Sequence, residues 1–237
     1  MGFAASAPRD YSTAWNHECC QVIPELPSAE RMRAVLRDDF REAARFFLET
    51  VARIPPEGWS SPGLGTWSVR ELVAHTSHTF ESLKGSTSPA RTAALVELQS
   101  PAESYAKLVG AGGKDDDIAE RGREGGRALG DDPADAIRRA ADEALDVLDD
   151  IPDDHPTRSV VGGIRFIDWL ATRVVELTVH TLDLAGATGM DVKQPPGAMR
   201  ATLAVLSETA VAKGYAAEMT MAATGRRPLR DGFTLFD

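Results

Sequence analysis

The chain has 237 residues, 43% of them hydrophobic, and a formal charge of −10 from 36 acidic and 26 basic side chains. That length supports one sizeable core with a small appendage, and the composition is globular rather than disordered. The acidic balance argues against a broad nucleic-acid or anionic-membrane surface, and no apolar run is long enough to span a bilayer.

Residues 1–27 lack periodicity and read as an N-terminal extension. They hold both cysteines, Cys19 and Cys20, which are adjacent and so too close for an unstrained bridge. With no other cysteine there is no disulfide framework, and the start shows no secretory apolar stretch, so a reducing, cytoplasmic setting is expected. His17-Glu18-Cys19-Cys20 has no second cluster of matching spacing to complete a metal site. Met1-Gly2-Phe3-Ala4-Ala5-Ser6 matches the myristoylation pattern, which is short and often arises by chance.

From Ser28 the chain reads as helix after helix. Met32, Val35, Leu36, Phe40, Ala43, Phe47, Val51 and Ile54 recur at helical spacing and predict a helix over 28–54. Three prolines and three glycines make 55–66 a connection. Ser68-Val69-Arg70-Glu71 is a capping box opening a helix to about Lys84. Ser88 or Ser100, each followed by proline, can start the next helical pieces, with Glu103–Val109 the core of one. The Gly- and charge-rich stretch 110–131 reads as a mobile connection with a short helix at most. Asp132-Pro133 opens a helix to about Asp150, with Ile137, Ala140, Ala141, Ala144, Leu145 and Leu148 on its inner face. Residues 152–165 read as a loop with an extended piece at Ser159-Val160-Val161. A helix over 166–185 stops near Gly186 or Gly189, and Pro195-Pro196 opens a final helix before a basic, turn-rich tail. With no internal repeat and no βα alternation, an all-α four-helix bundle is the economical architecture.

The helix over 166–185 carries the chemistry. It places Trp169, Arg173, Glu176, His180 and Asp183 on one stripe, bordered by Phe166, Leu177 and Leu184 on one side and Val175, Val179 and Leu182 on the other. A helix apolar around most of its girth is buried, so its carboxylate and imidazole need partners. Arg173 is one candidate partner and a metal ion is the other. Of the five histidines, His155 falls in a loop expected to be exposed, and His78 points away from the apolar face of the second helix. His75 lies at the edge of that face, beside Leu72 and Thr79, where it can meet a neighbouring helix. His75, Glu176 and His180 would then converge across two facing helices. Two imidazoles and a carboxylate suit Zn²⁺, Fe²⁺, Ni²⁺ or another divalent ion, and spacing does not choose among them. The same residues also allow a buried Glu–His hydrogen bond with no metal.

Two segments carry a resemblance. Gly65-Thr66-Trp67-Ser68-Val69-Arg70-Glu71-Leu72-Val73-Ala74-His75 resembles the N-terminal motif of the mycothiol-dependent maleylpyruvate isomerase family, within the DinB-like metal-binding four-helix bundles. Arg173-Val174-Val175-Glu176-Leu177-Thr178-Val179-His180-Thr181-Leu182-Asp183 is similar to its second motif, Glu-x-x-x-His followed by an aspartate. The resemblance extends over 30–235, including the closing Gly225–Leu229 segment. It implies metal ligands at His75, Glu176 and His180, with zinc as the first candidate, and a mycothiol-like thiol as cosubstrate. It implies a DinB-like bundle over 28–190, with residues 191–237 forming an additional C-terminal helix and tail. Family isomerases add the thiolate to an activated double bond, allow rotation and expel the thiol. They also carry a larger C-terminal domain than the about fifty residues after Gly186 here, which puts maleylpyruvate itself in doubt as substrate.

Two functional classes follow. One is a metal- and thiol-dependent isomerase or S-transferase acting on a small electrophile. The other is a non-catalytic metal- or ligand-binding bundle. The expected partners are a small-molecule substrate and a thiol, with no nucleic acid and no membrane, and a homodimer is left open. Asp183 is expected to pair with Arg173 or to orient an imidazole. Trp67 and Trp169 are expected to pack rather than stack on a cofactor, and Arg226, Arg227 and Arg230 to be solvated.

Overall fold

The computed structural model describes residues 29–109 and 115–236, with side chains described over 35–108 and 118–236. The readings placed on His17, Cys19, Cys20 and the rest of the N-terminal extension lie outside the described residues. The chain is all-α with one small hairpin. Its helices are α1 (Ala29–Val51), α2 (Val69–Lys84), α3 (Pro101–Val109), α4 (Asp115–Ala128), α5 (Pro133–Val147), α6 (Phe166–Thr188), α7 (Pro196–Ala212) and α8 (Ala216–Ala223). Strands β1 (Pro156–Ser159) and β2 (Gly162–Arg165) pair antiparallel just before α6.

Local sequence sets the ends of these helices. Ser68 Oγ accepts from the Glu71 N–H, and Glu71 Oε2 accepts from the Ser68 N–H at 2.7 Å, which is the expected reciprocal box. Asp132 Oδ1 accepts from the Asp135 N–H at 3.0 Å to start α5. Gly189, at φ 64°, ends α6 in the left-handed conformation that glycine adopts without a Cβ penalty.

Helix α1 packs on α6, α6 on α2, α2 on α5, and α5 back on α1, which closes a four-helix ring. Phe40, Phe47, Phe80, Phe166, Leu170 and Leu177 fill it and are fully buried. Helix α7 lies against α1 and α6, and α3 lies against α7 and α6. Thus α6 is packed by four other helices, and this is why its apolar residues extend around most of its circumference.

Four expectations need correction. Ser88 opens no helix; residues 85–98 form turns that bridge onto the hairpin through Thr92–Thr157 and Leu98–Ile164. The extended piece is a hairpin in which Val160 and Val161 form the turn, because Gly162 at φ 139° starts the return strand. The helix opened by Pro195-Pro196 is not final, since α8 follows the positive-φ Gly214. Finally, α4 is a full 14-residue helix rather than a short one in a mobile connection.

The glycines that suggested a loop are the packing face of α4. A Cβ on Gly122 would come within 2.8 Å of the Trp67 indole, one on Gly125 within 3.2 Å of Ala74 Cβ, and one on Gly126 within 3.1 Å of Glu71 Cγ. Each glycine costs a helix about 1 kcal/mol relative to alanine. The close approach lets Trp67 Nε1–H donate to the Ala119 carbonyl at 3.1 Å and Arg70 Nε–H to the Gly126 carbonyl at 2.6 Å. Propensity is thereby overruled by hydrogen bonds that only a bare backbone permits. Gly122→Ala is expected to overpack this seam and destabilise the protein by about 1–3 kcal/mol. A denaturant midpoint with tryptophan fluorescence checks it; an unchanged midpoint and spectrum would mean the seam is not tight.

Candidate functional site

Helices α2 and α6 bring the three expected ligands together. The capping box fixes where α2 begins, and His75 follows two turns later. Glu176 and His180 are one turn apart on α6, with Glu176 Oε2 3.5 Å from His180 Nε2 and 3.9 Å from His75 Nε2. The two imidazole rings meet edge to face with centroids 5.2 Å apart. One ligand atom from each residue lies within 4.8 Å of the others. Two ligands held about 2.1 Å from one ion at a tetrahedral angle stand about 3.4 Å apart, so shifts of about an ångström or less would bring the set to coordination distance. The side chains of His75, Glu176 and His180 are 27%, 24% and 16% exposed, so solvent reaches them.

The surroundings set the protonation states. Burial pushes His75 down, the charges of His180, Arg173 and His78 push the same way, and Glu176 opposes them; the result is about 4. For Glu176 burial acts upward, but the hydrogen bond from His180 and the charges of Arg173, His180 and His75 hold it at about 2. For His180 burial acts downward, but hydrogen bonds and charge from Asp183 and Glu176 raise it to about 9. At neutral pH without metal, His75 is therefore a neutral imidazole, Glu176 a carboxylate and His180 an imidazolium. His180 Nδ1–H donates to Asp183 Oδ2 at 3.0 Å, so Asp183 orients the imidazole, one of its two expected roles.

Other expected residues fall differently. His78 is exposed, as its wheel position requires, and its Nε2 is 3.4 Å from Arg91 Nη2. His155 is not an exposed loop residue. It is half-buried, with Nε2 3.1 Å from the Ser86 carbonyl, and ties the hairpin to the turn after α2. Arg173 does not pair with Glu176 or Asp183. Its guanidinium lies 5.5 Å from the Trp169 ring centroid and its Nε–H donates to Thr172 Oγ1 at 3.1 Å. Trp169 packs in the core. Trp67 does more than pack, because its ring lies 4.6 Å from that of His75 and covers the imidazole from outside. Arg226, Arg227 and Arg230 are exposed, and Arg230 is paired with Glu218.

Sequence reasoning missed Tyr105. This buried phenol on α3 donates to the Thr172 carbonyl at 3.3 Å and lies near enough to the Glu176 carboxylate to feel its charge. Burial, then the charge of Glu176, raises it well above the usual tyrosine range. The only signal in the sequence was a hydroxyl-bearing aromatic on the inner face of a short helix, which reads equally well as packing.

A family model described as the mycothiol maleylpyruvate isomerase N-terminal domain matches residues 40–185. The chain belongs to this family. The match includes α2 and nearly all of α6, hence His75, Glu176 and His180, and stops before α7. Residues 186–235, which the resemblance was expected to include, lie beyond it. No curated protein and no solved structure matches the chain. Among the described residues no helix is long and apolar enough to cross a membrane.

The His180 charge has a testable linkage. Its raised value stabilises the metal-free fold fully below the unfolded value of about 6.5, and this contribution is lost as pH rises through about 9. In chelated protein the His180 imidazole should titrate near 9 by NMR. Asp183→Asn should lower that value and weaken the fold at pH 7, since it removes an anionic partner; an unshifted titration would sink this account.

Proposed function

We propose that this protein is a metal-dependent enzyme that uses a low-molecular-weight thiol, mycothiol or one like it, for isomerisation or thiol transfer on a small electrophile. The observation that carries this is the convergence of His75, Glu176 and His180 at a partly exposed point between α2 and α6. The donor set fits a divalent cation: one carboxylate and one imidazole are already in the ligating state, and the second imidazole is backed by a carboxylate. Three protein ligands leave room for an exogenous one. When bound there, a divalent ion such as zinc would lower the pKa of a thiol and hold it as thiolate at neutral pH.

The chain's own residues supply the rest. Asp183 keeps the Nδ1 proton on His180 so that Nε2 faces the site. Trp67, just ahead of α2, lies on the His75 ring and is braced by the Ala119 carbonyl of α4, while Tyr105 on α3 lies near Glu176 and carries Phe236 on its ring with centroids 5.1 Å apart. On this reading residues 28–190 are the working bundle and residues 191–237 are its lateral cover. The partners are small molecules, the compartment is the cytoplasm, and a homodimer remains compatible.

The site also admits the non-catalytic reading, because Glu176 and His180 satisfy each other as an ion pair. Glu176→Gln separates the two. With a metal site, the variant should lose metal strongly, and its stability deficit against the parent should be larger in metal-supplemented than in chelated buffer. With a metal-free pair, no metal is lost and the buried imidazolium is left underpaired, at a cost of about 3–5 kcal/mol. Metal stoichiometry and denaturant midpoint, measured with and without chelator, decide. A parent protein that holds no metal under any condition would defeat the proposal.

The roles of the α2 histidines give a second check. His75→Ala should lose metal, while His78→Ala should match the parent. The reverse pattern would mean that a different face of α2 meets α6.

A further inference from the structure

Arg91 and Arg173 differ from the other half-buried arginines. Arg37 pairs with Asp153, Arg41 with Asp149, Arg123 with Glu120 and Arg165 with Asp168. Arg70 donates instead to the Gly126 and Gly130 carbonyls. Arg91 has only His78 Nε2, at 3.4 Å, and Arg173 only an aromatic face and the Thr172 hydroxyl. Among the described residues neither guanidinium has a carboxylate within ion-pair distance. A chain with a net charge of −10 has carboxylates to spare, yet Arg91 has none in contact and Arg173 meets Glu176 only through charge at longer range, so two part-buried guanidiniums are left without an ion pair to offset their desolvation.

Their position is fixed by the fold. Arg173 precedes Glu176 by one turn of α6, and His78 follows His75 by one turn of α2. The Arg91 backbone is clamped to the hairpin, since its carbonyl accepts from the Arg158 N–H at 2.6 Å and the Ala93 N–H donates to the Pro156 carbonyl at 2.7 Å. The region is positive. Arg91 is lowered by burial and then by the charge of Arg173; His78, exposed on one side and desolvated on the other, is lowered by that desolvation and then by Arg91, Arg121 and Arg173, with Glu81 opposing.

We infer that Arg91 and Arg173 form an anion-binding subsite one helical turn from His75 and Glu176, which takes a carboxylate of a molecule brought to that site. Guanidinium forks match carboxylate geometry, and a half-buried setting strengthens the pairing. The carboxylate belongs either to the electrophile or to the thiol. Only the word subsite rests on the proposed reaction; the anion site stands without a metal.

The test uses the full chain with chelator present, titrated calorimetrically with succinate and with its uncharged counterpart succinamide. Succinate should bind and succinamide should not. Arg91→Gln and Arg173→Gln should each weaken succinate about tenfold, the loss expected for one charge-assisted hydrogen-bonded contact. Arg227→Gln, in the exposed tail, should leave binding unchanged. If a Gln variant fails to fold, Arg91→Lys and Arg173→Lys keep the charge, lose the fork and should still weaken binding. Equal binding of succinate and succinamide would overturn the inference. So would succinate binding that is indifferent to folded variants at both positions. In metal-loaded protein, a preference for 3-mercaptopropionate over 2-mercaptoethanol that disappears in these variants assigns the carboxylate to the thiol. Equal binding of the two thiols, with succinate retained, assigns it to the electrophile. Because succinate is read without metal, loss of succinate binding and loss of the metal reading are separate results.

Discussion

A buried carboxylate or imidazole costs free energy unless it finds a partner, and Glu176, His180 and Asp183 meet this condition along one stripe of α6. Asp183 holds His180, His180 holds Glu176, and Glu176 faces His75 on α2. Charge-assisted hydrogen bonds of this kind are strong, yet their gain is largely spent on desolvation, so apolar residues of similar volume would stabilise α6 about as well. The stripe therefore gives the fold little that leucines would not. What it gives is a fixed cluster of donor atoms at a point solvent can reach. The elements around α6 serve that cluster: the α2 cap sets the height of His75, α3 ties the Tyr105 hydroxyl to the α6 backbone at Thr172, and α4 seats the indole that lies on His75.

The local charge of the site runs opposite to that of the molecule. Most acidic side chains lie at helix ends and in loops, where water screens them. Near the trio, among the described residues, the guanidiniums of Arg91 and Arg173 stand without an ion pair, half-buried and less screened, with Glu176 acting on Arg173 only through charge at longer range. Net charge thus excludes broad basic surfaces without describing a cleft. The acidic exterior and the cationic wall also act on different scales, the first on solubility and the second on what can enter.

The four ring helices were legible because each has a local stop or start signal joined to a 3.6-residue apolar period. Ser68 with Glu71, Asp132 with Pro133, and Gly189 are such signals, and all three act in the structure as read. The trio was legible for a related reason: a one-turn spacing on α6 and an edge position on α2 leave few ways to pack the two helices. What escaped depends on contacts distant in sequence. A helical wheel gives the face of Arg173 but not its neighbour, so Trp169 could not be told from Glu176 as its partner. Tyr105 reaches its acceptor across 67 residues. Helix α4 was hidden because propensity counts glycine as a loss, while tertiary packing can use a missing side chain as a recess.

That recess has a dynamic consequence. A helix that packs through bare backbone buries little apolar area of its own, so little hydrophobic free energy opposes its lifting away. Helix α4 also pays for three glycines in its own conformational entropy. It therefore belongs at the low end of the range of local opening energies, well below the ring it leans on. When it lifts, the Trp67 indole loses its acceptor and the outer face of His75 loses its brace, while α1, α2, α5 and α6 stay closed. Amide hydrogen exchange along α4 would thus measure how often the site is unlatched rather than how often the protein unfolds.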